Sequence, residues 1–254
     1  MQLFDRNGHR ARPTDTGVAL MREASQLLSL MADAATRAQR IARGLESELR
    51  VAVESLIPID RLLPLTGRFY DAVQGVRLTL LAESLTGCWD ALRASRADLI
   101  IGAPEYSMPS GVMNVKHLGD VDWLLCAPPN HPLTLMPTPV PVAEIAKYRT
   151  VLITDSTRDL PARSMGLRAG SDALTVSTYE SKLKAQQAGI GIGFLTPSSA
   201  RPLIDMGQLV EVIVAEQRPP SRLCYAWQHK QAGTALNWFL EQLESQELRK
   251  SLLP

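Results

Sequence analysis

Leu49-Arg50-Val51-Ala52-Val53, Val76 to Leu81 and Asp98-Leu99-Ile100-Ile101-Gly102 are three short apolar runs, and what separates them decides the fold. A run through Leu62, Leu63 and Phe69 parts the first two. Trp89 to Ala94 parts the second from the third, and both separators carry helical spacing. Strand-like runs alternating with helical ones argue a parallel sheet covered by helices, so the fold class is α/β. A second set of such elements begins near Val121. Trp123-Leu124-Leu125-Cys126-Ala127, Thr150 to Thr154, Leu174 to Thr178 and Gly191 to Phe194 read as strands. Val142 to Tyr148, Tyr179 to Ala188 and Pro197 to Met206 read as helices. Arg222 to Trp227 is one more strand before a last helix, Thr234 to Glu244.

Upstream of these units the periodicity changes. Met21, Ala24, Leu28, Met31, Ala35, Ala38, Ala42 and Leu45 follow one another in steps of three and four, which keeps a single stripe on one helix face. Arg22, Glu23, Asp33, Arg37, Arg40 and Arg43 lie off the stripe. Thr14 offers a side-chain oxygen to the helix's first free amides. Such a stripe can pack on its own domain or against the same helix of a second subunit. Its regularity and alanine content favour the second arrangement, a homodimer.

Length, charge and motifs narrow the function. The 254 residues allow one large or two ordinary domains. A net charge of +1 gives no footprint of a free-standing nucleic-acid binder. Cys88, Cys126 and Cys224 are odd in number and far apart, which suits small buried hydrophobes better than a disulfide framework or zinc. The sequence shows neither a cleavable export signal nor an apolar run of membrane length, so a cytoplasmic location is expected. It has no Gly-x-Ser-x-Gly elbow, no phosphate loop and no His-Glu-x-x-His helix. The glycines of Gly189-Ile190-Gly191-Ile192-Gly193 alternate, so they lack dinucleotide-loop spacing and suit a strand in close approach to a helix. His9, His117, His131 and His229 are scattered. No catalysis, cofactor or metal is expected.

Several passages together resemble one family. Leu3-Phe4-Asp5-Arg6, the Asn7-Gly8 turn, Arg10, Arg12 and Thr14-Asp15-Thr16-Gly17 are similar, in that order, to the C-terminal edge of the winged helix-turn-helix of LysR-type transcriptional regulators. Gly87-Cys88-Trp89-Asp90-Ala91-Leu92 with Ala97-Asp98-Leu99-Ile100-Ile101-Gly102, then Pro129-Asn130-His131-Pro132-Leu133, then Ala188 to Gly193 resemble the family's effector half. Trp89-Asp90, Asp155-Ser156-Thr157-Arg158 with Leu160-Pro161, and Ala226-Trp227-Gln228 point to the subgroup with purine-responsive and nitroaromatic-responsive regulators of enteric bacteria. The resemblance implies a two-lobed, periplasmic-binding-protein-like (type 2) effector domain behind a long linker helix. Residues 1–13 would be a remnant of the winged domain and 14–48 the linker and dimerisation helix. Residues 49–120 with 221–254 would form lobe one, and 121–220 lobe two. Arg6, Arg10 and Arg12 would face DNA phosphates, with most of the helix-turn-helix lacking from this sequence. The implied partners are a small-molecule effector, promoter DNA in an intact family member and a second subunit, with a tetramer compatible. A solute-binding protein shares the bilobed architecture but needs an export signal, and an α/β enzyme is the remaining alternative.

The site can be sought independently of the family. Ligands of open α/β sheets collect outside the C-terminal ends of strands, where helix N-termini offer free amides. In lobe one those ends are Glu54-Ser55, Glu83-Ser84 and Gly102-Ala103. In lobe two they are Thr154-Asp155-Ser156, Thr178-Tyr179 and Phe194, with Arg158 close behind and Trp227 placed to wall the pocket. For any one Ser or Thr, capping a helix is as natural as touching a ligand. Two carboxylates that only accept hydrogen bonds suit a donor-bearing ligand. The expectation is a neutral, planar molecule such as a purine or hydroxylated aromatic. The competing reading sends both glutamates to solvent.

Overall fold

The computed structural model describes residues 2–5, 12–25, 27–28, 31, 46–111, 113–163, 172–228 and 233–254. The chain divides into two compact units, Met1–Ser47 and Glu48–Pro254. In the first, β1 (Phe4–Asp5) pairs antiparallel with β2 (Arg12–Pro13). The Thr14 hydroxyl accepts the Gly17 amide at 3.1 Å and donates to the Gln2 carbonyl at 2.8 Å. This cap opens a helix seen at residues 15–25, 27–28 and 31. Met21, Leu28 and Met31 of the expected seam are 53%, 65% and 68% exposed, and Ala24 is half-buried. Ala35, Ala38, Ala42 and Leu45 lie outside the described residues, as do Arg6, Arg10 and the side chain of Arg12.

In the second unit, β3 (Glu48–Glu54) runs parallel to β4 (Arg77–Glu83) on one side and to β5 (Leu99–Pro104) on the other. β12 (Ser221–Gln228) lies antiparallel between β5 and β6 (Met113–Val121), giving the order β4-β3-β5-β12-β6. The central strands are buried on both faces, which is why they read as continuous apolar runs. Leu49, Val51, Val53, Leu99, Ile101 and Tyr225 face a large core built on α1 (Leu63–Ala72) and α6 (Thr234–Glu244). There the Phe69 ring meets those of Trp238 and Phe239 at 5.5 and 5.3 Å. Ala52, Ile100, Ala103, Cys224 and Ala226 face α2 (Gly87–Arg93). The small residues on that face make room for the indole of Trp89, which is fully buried and donates to the Pro104 carbonyl at 2.9 Å. Burying each large apolar side chain contributes about 1.5–3 kcal/mol.

Lobe two is built around β7 (Leu124–Ala127), which pairs antiparallel with β10 (Gly193–Leu195) and β11 (Val210–Glu211). β8 (Thr150–Ile153) runs parallel to β9 (Ala173–Val176), and a bridge between Thr150 and Ile192 joins this pair to the rest. α3 (Val142–Ile145), α4 (Tyr179–Gln187) and α5 (Pro197–Asp205) complete it. The chain enters lobe two from β6 and returns through β12, so two crossover strands join the lobes.

Among the described strands and α-helices, β6, β11 and a last helix escaped the sequence reading. β6 breaks apolar alternation with Lys116, His117 and Asp120, because a register shift at Leu223/Cys224 of its partner changes which residues face inward. α7 (Gln246–Leu252) follows α6 after one residue, with the Ser245 hydroxyl accepting the Leu248 amide. Leu253 then packs over Gly119 of β6.

Gly102 carries a measurable constraint. Its φ is +87°, and a Cβ there would lie 2.6 Å from Ile57 Cδ1 and 3.0 Å from Glu54 Cβ. Gly102→Ala combines an unfavourable backbone, about 1–3 kcal/mol, with a clash beneath Glu54. We expect a lower urea midpoint with an unchanged denaturant slope. An unchanged midpoint would show that the backbone there relaxes freely.

Candidate functional site

A cleft enclosing about 480 Å³ of empty space, mouth included, opens between the lobes. Lobe one contributes Glu54, Leu56, Leu85 and Pro104. Lobe two contributes Ile153, Tyr179 and Lys182. Trp123, Arg218, Ser221 and Leu223 line it from the connections. The indole N–H of Trp123 donates to the Ser221 hydroxyl at 2.9 Å, tying the exit of β6 to the entry of β12.

Glu54 ends β3 and is 4% exposed. Its carboxyl accepts the Leu85 amide at 2.7 Å and the Ser55 hydroxyl at 3.3 Å. Leu85 holds a left-handed φ of 57°, a conformation that leucine adopts only under constraint. These bonds favour the ionised form, but burial outweighs them and pushes the Glu54 pKa up to about 8. At neutral pH the group is mostly a carboxylic acid. It therefore presents an O–H donor as well as an acceptor.

Lys182 lies on α4, three residues after Tyr179, and is 4% exposed. Among the described residues its ammonium has no hydrogen-bond or ion-pair partner. Burial, with Arg218 nearby, lowers its pKa to about 7. The Arg218 guanidinium lies over the Trp123 ring at 4.6 Å and near the Phe194 ring at 5.3 Å. Tyr179 presents its ring to the cleft, while its hydroxyl accepts the Thr196 amide at 2.7 Å and donates to Thr196 Oγ1 at 3.2 Å.

A second cluster fastens one lobe to the other beside the cleft. Arg96 donates to Glu83 at 2.6 Å and to Asp90 at 3.0 Å. Ser156 donates to the other Glu83 oxygen and accepts the Ser84 amide at 2.8 Å. Its own amide donates to the Ser84 carbonyl at 3.2 Å. The Arg158 amide donates to Asp90 at 3.1 Å, and Ser84 Oγ lies 2.8 Å from Ser55 Oγ. A Cβ on Gly87 would lie 1.8 Å from Ser156 Oγ, so only glycine admits this junction.

Of the residues expected at the site, Glu54 and Tyr179 line the cleft, and the Phe194 ring stands near Arg218 behind it. Glu83, Ser84, Ser156 and the Arg158 backbone belong to the junction, with Ser55 at its edge. The picture of two open carboxylates is therefore corrected: Glu83 is paired with Arg96, and Glu54 is held protonated. Asp155 closes its own loop by accepting the Thr157 and Arg163 amides. Thr178 caps α4, and the Thr154 amide bonds Val176. Gly102 and Ala103 are buried within the sheet. Trp227 stacks on Tyr225 at 6.1 Å, packed against the lobe-one core rather than walling the cleft. The strand-end rule could not reach Lys182, inside a helix, or Arg218, in a loop before Pro219-Pro220. A lysine one turn past a strand end, on a buried helix face, was the available signal.

The Glu54 shift has a definite sign. A carboxyl with a folded pKa near 8 against 4.5 unfolded binds more protons when folded. Its cost is absent below about pH 4.5 and fully present above about pH 8. Glu54→Gln should thus raise stability at pH 8.5 by up to about 5 kcal/mol and leave it nearly unchanged at pH 4.5. Thermal melts at the two pH values decide it, and equal shifts at both would refute a protonated Glu54.

The description "LysR substrate binding domain" matches residues 42–247. The chain is 31% identical over 243 residues to the uncharacterized HTH-type transcriptional regulator YeeY of Escherichia coli (strain K12), covering 96% of this chain and 79% of that protein. It is 28% identical over 252 residues to the HTH-type transcriptional regulator PunR of the same organism, covering 99% and 81%. The regulatory domain of MetR, a LysR family regulator from N. meningitidis, superposes with a TM-score of 0.60 at 19% identity, over 82% of this chain and 95% of that one. That likeness shows the two-lobed, periplasmic-binding-protein-like fold. Among the described residues, no group of three or more His, Cys, Asp or Glu could hold a metal, and no helix is long and apolar enough to cross a membrane. With most of its length matched to the family's substrate-binding domain, the chain belongs to the LysR-type transcriptional regulators.

Proposed function

We propose that this chain is the effector-sensing and oligomerising region of a cytoplasmic regulator, in which a small molecule held between the lobes controls DNA binding. One observation carries the reading. Two buried titratable side chains, Glu54 from lobe one and Lys182 from lobe two, line the same cleft with their ordinary pKa values reversed in direction. Titratable groups perturbed in this way cluster where ligands bind. A molecule touching both lobes favours one relative placement of them by its differential contacts.

The exposed Met21, Leu28 and Met31 support self-association, since a regular apolar stripe on a helix favours a partner helix. A second copy of the chain fits best, because the seam would then face its own pattern. Arg6, Arg10 and Arg12 remain the proposed phosphate contacts. They would fix orientation on DNA while base edges set specificity. A purine-like or hydroxylated aromatic effector keeps the support of the subgroup resemblance, but its two-carboxylate argument is gone.

Two measurements test this reading. A thermal-shift screen of small metabolites should find stabilisers whose effect disappears in Leu223→Trp, which fills the cleft from β12. A stabiliser acting equally on both proteins would place the binding elsewhere. Light scattering at micromolar concentration should give at least a dimer, and Leu28→Glu with Met31→Glu should weaken it toward monomer. A monomeric unmodified chain would end the seam proposal.

A further inference from the structure

Of the chain's six lysines, Lys116, Lys147 and Lys184 are exposed, and each is paired with a glutamate. Lys182 is different, being 4% exposed and part of the cleft wall. Its stem packs on the backbone of β10, where a Cβ on Gly193 would lie 3.2 Å from Lys182 Cε. Among the described residues, the charged or titratable groups that act on it are the Arg218 guanidinium and the Cys126 thiol, with no carboxylate between them. Glu54 stands across the cleft with Asp155 near it, and burial keeps its proton largely on. Desolvation beside a second cation turns a lysine into a nucleophile, because the neutral amine keeps a lone pair to give. Lys182 meets both conditions, and its pKa is lowered to about 7.

We propose that Lys182 is a covalent capture site for aldehydes, holding a small carbonyl compound with an apolar body reversibly as an imine. The proposal rests on the reading that small molecules enter the cleft, and it adds bond-making chemistry to that reading. The lysine nitrogen gives its lone pair to the carbonyl carbon, and the C=O π pair moves to oxygen. One nitrogen proton passes to that oxygen, forming a carbinolamine. The C–O bond then breaks, the nitrogen lone pair closes C=N, and water leaves with the second nitrogen proton. Nothing is oxidised or reduced, and hydrolysis along the same route returns the aldehyde. Leu56, Leu85, Ile153, Leu223 and Trp123 supply apolar walls for the body of such a molecule.

A covalent adduct is a readout that packing alone cannot produce, and its selectivity depends on protonation. Lys116 is the internal comparator, because Glu244 raises its pKa and keeps it an ammonium at neutral pH. The groups around Lys182 are Arg218, Tyr179 on its own helix and Cys126 on β7, with Glu211 beside that thiol. Glu54 and Asp155 stand on the far side of the cleft. Burial holds Cys126 up to about 12 and raises the Tyr179 phenol. The Glu54 pKa, displaced to about 8, falls in the range of Lys182 itself, so the pH comparison belongs in Glu54→Gln.

The test incubates the 254-residue chain with benzaldehyde and cyanoborohydride, which reduces an imine to a stable amine, and uses benzyl alcohol as the control without a carbonyl. Peptide mass spectrometry should find a benzyl group on Lys182 at least about tenfold ahead of Lys116 near neutral pH. In Glu54→Gln that ratio should shrink as pH rises toward about 10, where exposed lysines lose their protons and Lys182 has none left to lose. Without reductant, benzaldehyde should raise the melting temperature of the parent and not of Lys182→Met, while benzyl alcohol acts alike on both. Lys182→Met should itself melt no lower than the parent, since it removes a buried charge that has no counter-ion. Lys182 labelled no faster than Lys116, a ratio indifferent to pH, or no adduct at all would each overturn the capture site. Leu223→Trp separates this proposal from the reading beneath it. Selective labelling that Leu223→Trp abolishes supports both. If Lys182 is not selectively labelled but metabolite stabilisers are still lost in Leu223→Trp, the capture site falls and the cleft reading stands. Labelling of Lys182 that survives Leu223→Trp shows entry by another route and removes the cleft reading.

Discussion

Two carboxyl groups end neighbouring parallel strands at the same register, Glu54 on β3 opposite Glu83 on β4, and the pairing lets neither move away. Parallel strands lie about 4.8 Å apart, so two ionised carboxylates there would need a cation between them or a proton on one. The fold divides the solutions. Arg96, arriving just after α2, gives Glu83 and Asp90 one guanidinium to share. Glu54 has only backbone and hydroxyl donors, and burial keeps its proton on. One strand end thereby becomes part of the frame, and the other becomes part of the cleft.

The frame has a mechanical consequence. The Glu83–Arg96–Asp90 group lies in lobe one, yet Ser156 and the Arg158 amide reach it from lobe two. Ser84 and Ser156 exchange two bonds across the lobes, the Ser84 amide donating to the Ser156 hydroxyl and the Ser156 amide to the Ser84 carbonyl. Removing Arg96 would strand the buried Glu83 and Asp90, which costs more than the bonds themselves contribute. The lobes are thus held by two crossover strands and by this junction, with the cleft alongside. A ligand bound in the cleft, as proposed, would act close to the contacts that set how the lobes sit, so that small differential contacts could shift an equilibrium.

Much of the fold could be read from the chain because two-sided burial writes itself into composition. Leu99-Ile100-Ile101 and Leu223 to Ala226 are apolar on both faces, and the parallel order followed from what separated them. β6 was unreadable because its inward residues depend on a register shift in β12, information held by the partner strand. α7 was lost because nothing in Gln246–Leu252 marks its one-residue separation from α6. The site was half legible for a similar reason. Strand ends identify positions, and Glu54 and Tyr179 were found that way. Whether a carboxylate there is open, paired or protonated depends on Arg96, thirteen residues beyond Glu83, and on Leu85 turning its amide toward Glu54. Those are tertiary facts. Lys182 shows the limit most clearly, since a lysine on a helix usually reads as solvated surface.

Glu54 and Lys182 also explain why such a cleft is tolerable. Each pKa unit of displacement corresponds to about 1.4 kcal/mol. The penalty for an acid raised toward 8 grows as pH rises from 4.5, and that for a lysine lowered toward 7 fades as pH rises toward 10.5. Between about pH 7 and 8 both are felt together, so near neutrality the empty cleft subtracts on the order of a few kcal/mol from the fold. The well-packed sheet must carry that deficit, with its fully buried Trp89, Phe69 and Phe239. A ligand bound in the cleft, as proposed, would return part of it. Under the proposed function, that energy would be available for rearranging the lobes, because the unliganded protein stores it in two buried side chains with displaced pKa values.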